Sequence, residues 1–499
     1  MVALEAAATP GGAVRSAELT GPGFVNDRCS AFYPLSVDPT PLSRLGLGEY
    51  GLRWRHAPAV LAHLAPGLPA AVISRDLDAT AASVERHAAG DGQRWREGYA
   101  EWLRLAPHLL RALFTPFPPV RPTLATLRRI GPGDALRLAR RLVASAGQLG
   151  DEAFRGEGAK LLIAGCALHT DLGPADAGSG GYGWLLAMLA QQHGFPVPEG
   201  GAQRLTDAMV ARLAARGGTV ACAAPVTRVV VGHGRALGVG TADGRWYRAR
   251  RAVLADVAAP ALYLDLVGAG HLPSGLVADL GRMRYDHATV KVDWALSGPV
   301  PWRDPAAAGA GTLHVGVDLA GMSRFASTVS VGEVPDELLL ICGQMSTCDP
   351  TRSPAGTETL WAYTHVPLRP AWPADAVAEV AARMEAVLER HAPGFGARVL
   401  ARHVAGPEEL ERENPNLVGG SLGGGTSAVY QQAFLRPVPG LGRADTPIDR
   451  LYLASAAAHP GGGVHGGPGA NAARAALARD RWGLGYAAAI RGAHRLLYR

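Results

Sequence analysis

LYLASAAAHPGGGVHGGPGANAARAAL (451–477) reads as a strand, a glycine turn and a helix. Leu451 to Ala454 is short and apolar, five glycines lie between 461 and 467, and an Ala-rich helix spans Ala470 to Arg481. Bare backbone N–H groups at a helix N-terminus make a site for partial negative charge. The glycines leave no side chain to block a flat ring. A flexible linker is the plainer reading, but linkers rarely join a buried strand to an Ala-rich helix.

Upstream, Leu205 to Arg216 is helical, with Leu205, Met209 and Leu213 on one face and Gly217-Gly218 as the stop. Short β-rich runs follow at 219–222 and 226–231, then a turn, a strand at 236–241, an Asp243-Gly244 hairpin signal and a strand at 252–255. At the start of the chain, Val2-Ala3-Leu4 runs into Glu5, and Gly11-Gly12 follows. A carboxylate closing a strand can accept two hydrogen bonds from ribose hydroxyls.

Between these segments, residues 75–150 are helical. Trp95, Tyr99, Trp102 and Leu103 recur at helix spacing, the Pro-rich run 115–122 breaks the pattern, and 134–149 reads as one more amphipathic helix. Residues 285–370 alternate as strands do, with Thr289, Lys291 and Asp293 on one strand face. Residues 374–391 are helical, and there are no internal repeats.

A chain of 499 residues, 48% hydrophobic, suits two interleaved domains. No run of about 18 apolar residues lacks charge, so no transmembrane helix is expected, and the first residues carry no secretion signal. Cys29, Cys166, Cys222, Cys342 and Cys348 are scattered without metal-ligand spacing, which fits a reducing cytoplasm and no metal. The sequence pI is near 9.2, but the basic residues form no cluster beyond short pairs. Nucleic-acid binding is therefore not expected, whereas an anionic cofactor or a peripheral contact with a membrane surface is compatible.

Three separated segments resemble the FAD-dependent, phytoene-desaturase-like oxidoreductases, and most closely their pyridine nucleotide-disulfide oxidoreductase domain-containing subgroup. They are GGAVRSAELTGPGFVNDRCSAFYPL (11–35), GGAQRLTDAMVARLAARGG (200–218) with VTRVVVGHGRALGV (226–239), and the opening stretch. The resemblance implies an α/β fold: a glutathione-reductase-like FAD/NAD(P)-binding domain interleaved with a mixed-sheet and helical substrate domain. The implied FAD-binding parts are 1–65, 191–265 and 405–499, with a helical cap at 66–190 and a substrate sheet at 266–404.

It also implies roles. Glu5 meets the adenosine ribose; Gly11, Gly12, Arg15 and Ser16 line the diphosphate and flavin side. Val226 bonds adenine through its backbone. Ser455 takes the pyrophosphate–ribityl turn, where the family more often has glycine. Gly462, Gly463, Val464 and His465 approach the isoalloxazine. His465 is a candidate catalytic group or a loop residue beside the ring. Lys291 is a candidate for the lysine that holds a water near flavin N5 in related amine oxidases, or an ion-paired strand lysine. The implied reaction moves hydride from a small apolar, carotenoid- or isoprenoid-like substrate to flavin N5, and then to an electron acceptor. The alternative is a non-catalytic or flavin-deficient binding protein, like a Rab GDP-dissociation inhibitor. No acid–base pair is visible in the sequence.

One departure stands out. A G-x-G-x-x-G loop normally precedes the ribose acid by about 20 residues, and Glu5 has four residues before it. The expectation is that Met1 lies inside a longer reading frame, with the first strand, phosphate loop and first helix upstream.

Overall fold

The computed structural model describes residues 1–37 and 39–498. A seven-stranded mixed sheet runs in the order Val399–Ala405, Ala288–Leu296, Glu358–Val366, Leu340–Gln344, Ala310–Val315, Ala59–Leu64, Ala71–Ile73. Neighbours are antiparallel except Ala310–Val315 with Ala59–Leu64, which are parallel. All of Ala288–Leu296 is buried. Strand alternation therefore puts Val290, Val292 and Trp294 on one inner face and Thr289, Lys291 and Asp293 on the other.

The apolar face packs under the helix Ala374–His391 through Val380, Met384, Val387 and Leu388, at the spacing of one helix stripe. Trp294 donates to Glu385 Oε1 at 2.9 Å, which gives its indole N–H a partner. Around the far end of the sheet, the helix Asp91–Leu113 buries Trp95 and Trp102. Their indole nitrogens donate to Gln191 and Gln192 at 3.0 and 2.7 Å.

The smaller sheets are built from distant segments of the chain. Val2–Leu4 pairs in parallel with Thr219–Ala221, and Val253–Ala255 with Leu451–Leu453. The antiparallel excursion is a three-stranded sheet of Val226–Gly232, Arg235–Thr241 and Trp246–Arg248. Among the described residues, Val2–Leu4 and Val253–Ala255 each keep one edge without a strand partner. Val2 and Leu254 are exposed, although parallel strands are ordinarily covered on both faces.

Three expectations change. The strand Ala59–Leu64 pairs with Ala310–Val315 and Ala71–Ile73, so the seven-stranded sheet takes residues that the expected division at 65 placed in the first FAD-binding part. The single helix expected at 134–149 is two. Val120–Val143, interrupted at Gly131 (φ 76°), ends before Ser145, whose hydroxyl accepts from Gln148 N and starts Ala146–Ala153. The last helix runs Gly467–Leu497 with a break at Gly483, where the helix was expected to stop near Arg481. Among the described residues, no helix is long and apolar enough to cross a membrane.

Candidate functional site

Glu5 closes Val2–Leu4 and is half-buried. Its backbone N–H donates to Ala221 O at 2.9 Å, and its Oε1 accepts from Ala7 N at 2.8 Å. Asp256 ends the strand Val253–Ala255 close enough for its charge to repel Glu5. Gly11 has φ 130°, and a Cβ there would lie 2.7 Å from Val14 O and 2.9 Å from Thr206 Oγ1. Glycine is required for the chain to pass this close to the helix Gln203–Ala215.

Arg15 and Ser16 are turned toward protein. Arg15 donates to Gly12 O and Glu413 O, both at 2.8 Å, and pairs with Glu413 at 3.3 Å. Ser16 Oγ donates to Asp27 Oδ1 at 2.7 Å and accepts from Gln203 N at 3.2 Å. Both residues brace the loop that holds Gly11 and Gly12. Val226 opens its strand opposite Thr241, beside a register irregularity that loosens the pairing there.

The C-terminal loop is arranged for a flat group. Gly462 and Gly463 are exposed at the foot of Gly467–Leu497, and Val464 is half-buried. Ser36 Oγ donates to Val464 O. A Cβ on Gly462 would lie 2.9 Å from Gly423 O, so this loop rests on a second glycine loop, 423–425. Buried Arg436 staples the two, donating to Gly423 O and Ala456 O, both at 2.9 Å, and to Thr426 O at 2.8 Å. Arg436 and the 423–425 loop were not singled out from sequence; the G-G-S-L-G-G-G run (419–425) was the available signal.

His465 Nδ1 accepts from Gly467 N at 3.0 Å, which leaves Nε2 to donate to Gly462 O at 3.2 Å. Burial pushes this imidazole down to about 4, so it is neutral, and both nitrogens serve its own loop. Ser455 Oγ donates to Val257 O at 2.7 Å and so ties together the ends of two parallel strands.

Lys291 is buried and ion-paired with Asp293, the neighbour on its strand face. Burial raises Asp293, and the ammonium opposes that. A small cleft lined by Gly12, Arg15, Cys29, Asp293, His403 and Asn414 brings the N-terminal glycine loop to the seven-stranded sheet. The same sheet face carries Tyr363 opposite Lys291 in register, and His365 opposite Thr289. Phe32 lies 5.9 Å from Trp361, which stacks on Tyr363 at 5.9 Å.

These residues fit FAD at its two ends. A strand-end carboxylate suits ribose hydroxyls, and exposed backbone at 462–463 leaves room for a flat ring. Between the free edges of Val2–Leu4 and Val253–Ala255, the described residues supply no glycine loop for a diphosphate.

No family model matches the chain. It is 28% identical over 384 residues to the pyridine nucleotide-disulfide oxidoreductase domain-containing protein 2 of Mus musculus, covering 73% of this chain and 65% of that one. It is also 28% identical over 311 residues to the phytoene desaturase (neurosporene-forming) of Cereibacter sphaeroides, covering 59% and 56%. The chain thus spans 65% and 56% of the lengths of these curated relatives. Among solved structures, an oxidoreductase from Methanosarcina mazei matches with a TM-score of 0.58 at 14% identity, over 96% of this chain and 94% of that one. Cyclohexylamine oxidase from Brevibacterium oxydans matches with a TM-score of 0.56 at 14%, over 96% and 93%. The structural likenesses show the fold. The sequence similarities, both at 28% identity, are to proteins named as an oxidoreductase and a desaturase.

Proposed function

We propose that this chain, kin to the FAD-dependent oxidoreductases, works as a dehydrogenase, desaturase or oxidase on a small apolar, isoprenoid-like substrate held against the inner face of the seven-stranded sheet. The observation that carries this is the exposed Gly462–Gly463 backbone, set at a helix N-terminus and seated on the 423–425 loop. FAD, when bound, supplies hydride acceptance at N5; the protein supplies orientation and a dry pocket. Glu5 binds the ribose hydroxyls, the Val226 backbone meets adenine, and Gly11 and Gly12 let the cofactor approach. Gly462, Gly463 and Val464 orient the ring.

Phe32, Trp361 and Tyr363 exclude water from the substrate. Lys291, steadied by Asp293, holds a water at the reacting face. His465 keeps its loop in shape. The exposed glycine backbone favours this reading over a non-catalytic prenyl-binding protein.

The test is flavin content by absorbance and turnover in the full-length gene product. Gly462→Val is expected to lower bound FAD at least tenfold, by driving its side chain into Gly423 and covering the bare backbone. Lys291→Met keeps FAD and loses turnover. Equal FAD in Gly462→Val, or no FAD in the parent protein, refutes the assignment.

We also propose that the protein is cytoplasmic and touches an anionic lipid surface through the helix Val120–Val143. Val120, Leu124 and Leu127 are exposed on one stripe, and Leu136 is 73% exposed beyond the break. Arg121, Arg128 and Arg129 flank them, exposed and without ion pairs among the described residues. An apolar stripe flanked by arginines suits the boundary between acyl chains and anionic headgroups.

A further inference from the structure

The loop between the helices Glu157–Leu168 and Ser179–His193 carries Asp171 in a left-handed conformation, φ 64°, which costs a non-glycine residue free energy. That conformation aims its carboxylate at His365 on the sheet. The two form an ion pair at 2.7 Å, Nδ1 to Oδ1. His365 Nε2 lies 3.1 Å from Leu168 O. A carboxylate beside Nδ1 and a carbonyl beside Nε2 both favour the protonated ring of His365. Burial works against that charge; Asp171 and the carbonyl overcome it and hold His365 above its ordinary value.

Asp286 sits just before the strand Ala288–Leu296 and is buried. Its Oδ1 accepts from Ser427 N at 3.0 Å. Its Oδ2 has no hydrogen-bond partner among the described residues. That free oxygen points at Gly423, where a Cβ would lie 2.8 Å away, and Gly423 in turn underlies Gly462. Asp286 is thus one backbone layer from the exposed glycine loop. Around it stand Asp171, Arg436, Tyr182, His365 and His287. The His287 ring lies 6.3 Å from His365, and Tyr363 meets His365 edge-on at 5.4 Å. Tyr363 is the one residue of Glu358–Val366 that is half-buried, the others being buried.

We propose that Asp286, backed by the Asp171–His365 pair, is an acid–base centre that takes up the proton a substrate must release when it loses a hydride. This rests on the flavin reading above. The substrate gives a hydride from one carbon to the flavin, the oxidant. The proton leaves the adjacent C–H or N–H, whose electron pair becomes the new double bond, and it arrives on the Asp286 carboxylate. Asp171 and His365 are positioning residues. The charge of Asp171 opposes ionisation of Asp286, and His365 pairs with Asp171 and fixes its place. Burial first, and Asp171 second, raise Asp286 from the carboxylate range toward neutrality, where one group serves both as base and as acid.

The experiment needs no substrate. The midpoint potential of bound FAD is measured against pH in the full-length protein, and carboxyl protonation is followed in parallel by infrared spectroscopy. The expected result is a break in the potential near neutral pH, matched by a titrating carboxyl band. Both are lost in Asp286→Asn at unchanged flavin content, and both move to lower pH in Asp171→Asn. An identical potential profile in Asp286→Asn with flavin retained overturns the proposal. A protein without flavin overturns it together with the functional reading. A carboxyl band that persists in that case shows that the flavin reading failed while the buried carboxyl titrates as described.

Discussion

Asp27→Asn removes the charge that neutralises Arg352. The two lie 2.6 Å apart, and both side chains are 0% exposed. Asp27 Oδ1 also accepts from Ser16 Oγ at 2.7 Å and Ala202 N at 2.8 Å, while Arg352 Nε donates to Val25 O at 3.2 Å. The pair therefore pins the N-terminal glycine segment and the 200–203 turn to the seven-stranded sheet. Asparagine keeps the shape and an acceptor oxygen, so charge is what is lost. The nearest further carboxylate, Asp349, is already engaged by Gly200 N at 2.7 Å and Thr351 Oγ1 at 2.8 Å.

Leaving a buried charge uncompensated costs about 3–5 kcal/mol. For a chain this long that is roughly 3–5 °C in melting temperature. The assay is thermal and denaturant unfolding followed by tryptophan fluorescence. The Asp27→Leu, Arg352→Met double variant removes both charges and is expected to recover most of the loss, because an ion pair cut off from water returns little net stability. A single variant within about 1 kcal/mol of the parent, or a double variant as unstable as the sum of the singles, refutes the reasoning.

Gly165→Ala places a methyl group on the His314 ring and is expected to destabilise by about 1–3 kcal/mol on denaturation; a neutral result means the helix Glu157–Leu168 shifts freely. Buried His63 and half-buried His169 are, like His465, pushed down from 6.5 to about 4 by desolvation. The unfolded chain binds protons first, so the stability they contribute is whole above pH 6.5 and falls toward pH 4, by roughly 1.4 kcal/mol per pH unit for each. His365 runs the other way: its contribution is whole below 6.5 and is lost as pH rises through its elevated value. His169→Asn should flatten the acid limb by one histidine's share, and an unchanged slope counts against a neutral imidazole. Leu124→Glu with Leu136→Glu should abolish co-sedimentation with anionic vesicles at unchanged melting temperature; parent protein that ignores such vesicles excludes the lipid contact.

Much of the site was legible because its signals are local. A strand running into a glycine turn and a helix, a carboxylate closing Val2–Leu4, and the alternation that puts Thr289, Lys291 and Asp293 on one face are all patterns within a few residues. The helix at 374–391 and the strand at 288–296 follow from period alone, and the structure has them at those bounds. Ala59–Leu64 was missed as a sheet strand because a short apolar run does not say which partner it will find.

The chemistry between segments is of another kind. Asp27 meets Arg352, Asp171 meets His365, and Asp286 reaches the glycine loops only when separate stretches of chain converge. No local pattern encodes such a meeting, because burial in a shared core, and the missing solvent that comes with it, set both the pairing and the charge. Chain order alone therefore specified the elements and the exposed glycine turn. Which side chains face that turn, and in which protonation state, was left to packing, since both depend on neighbours hundreds of residues away along the chain.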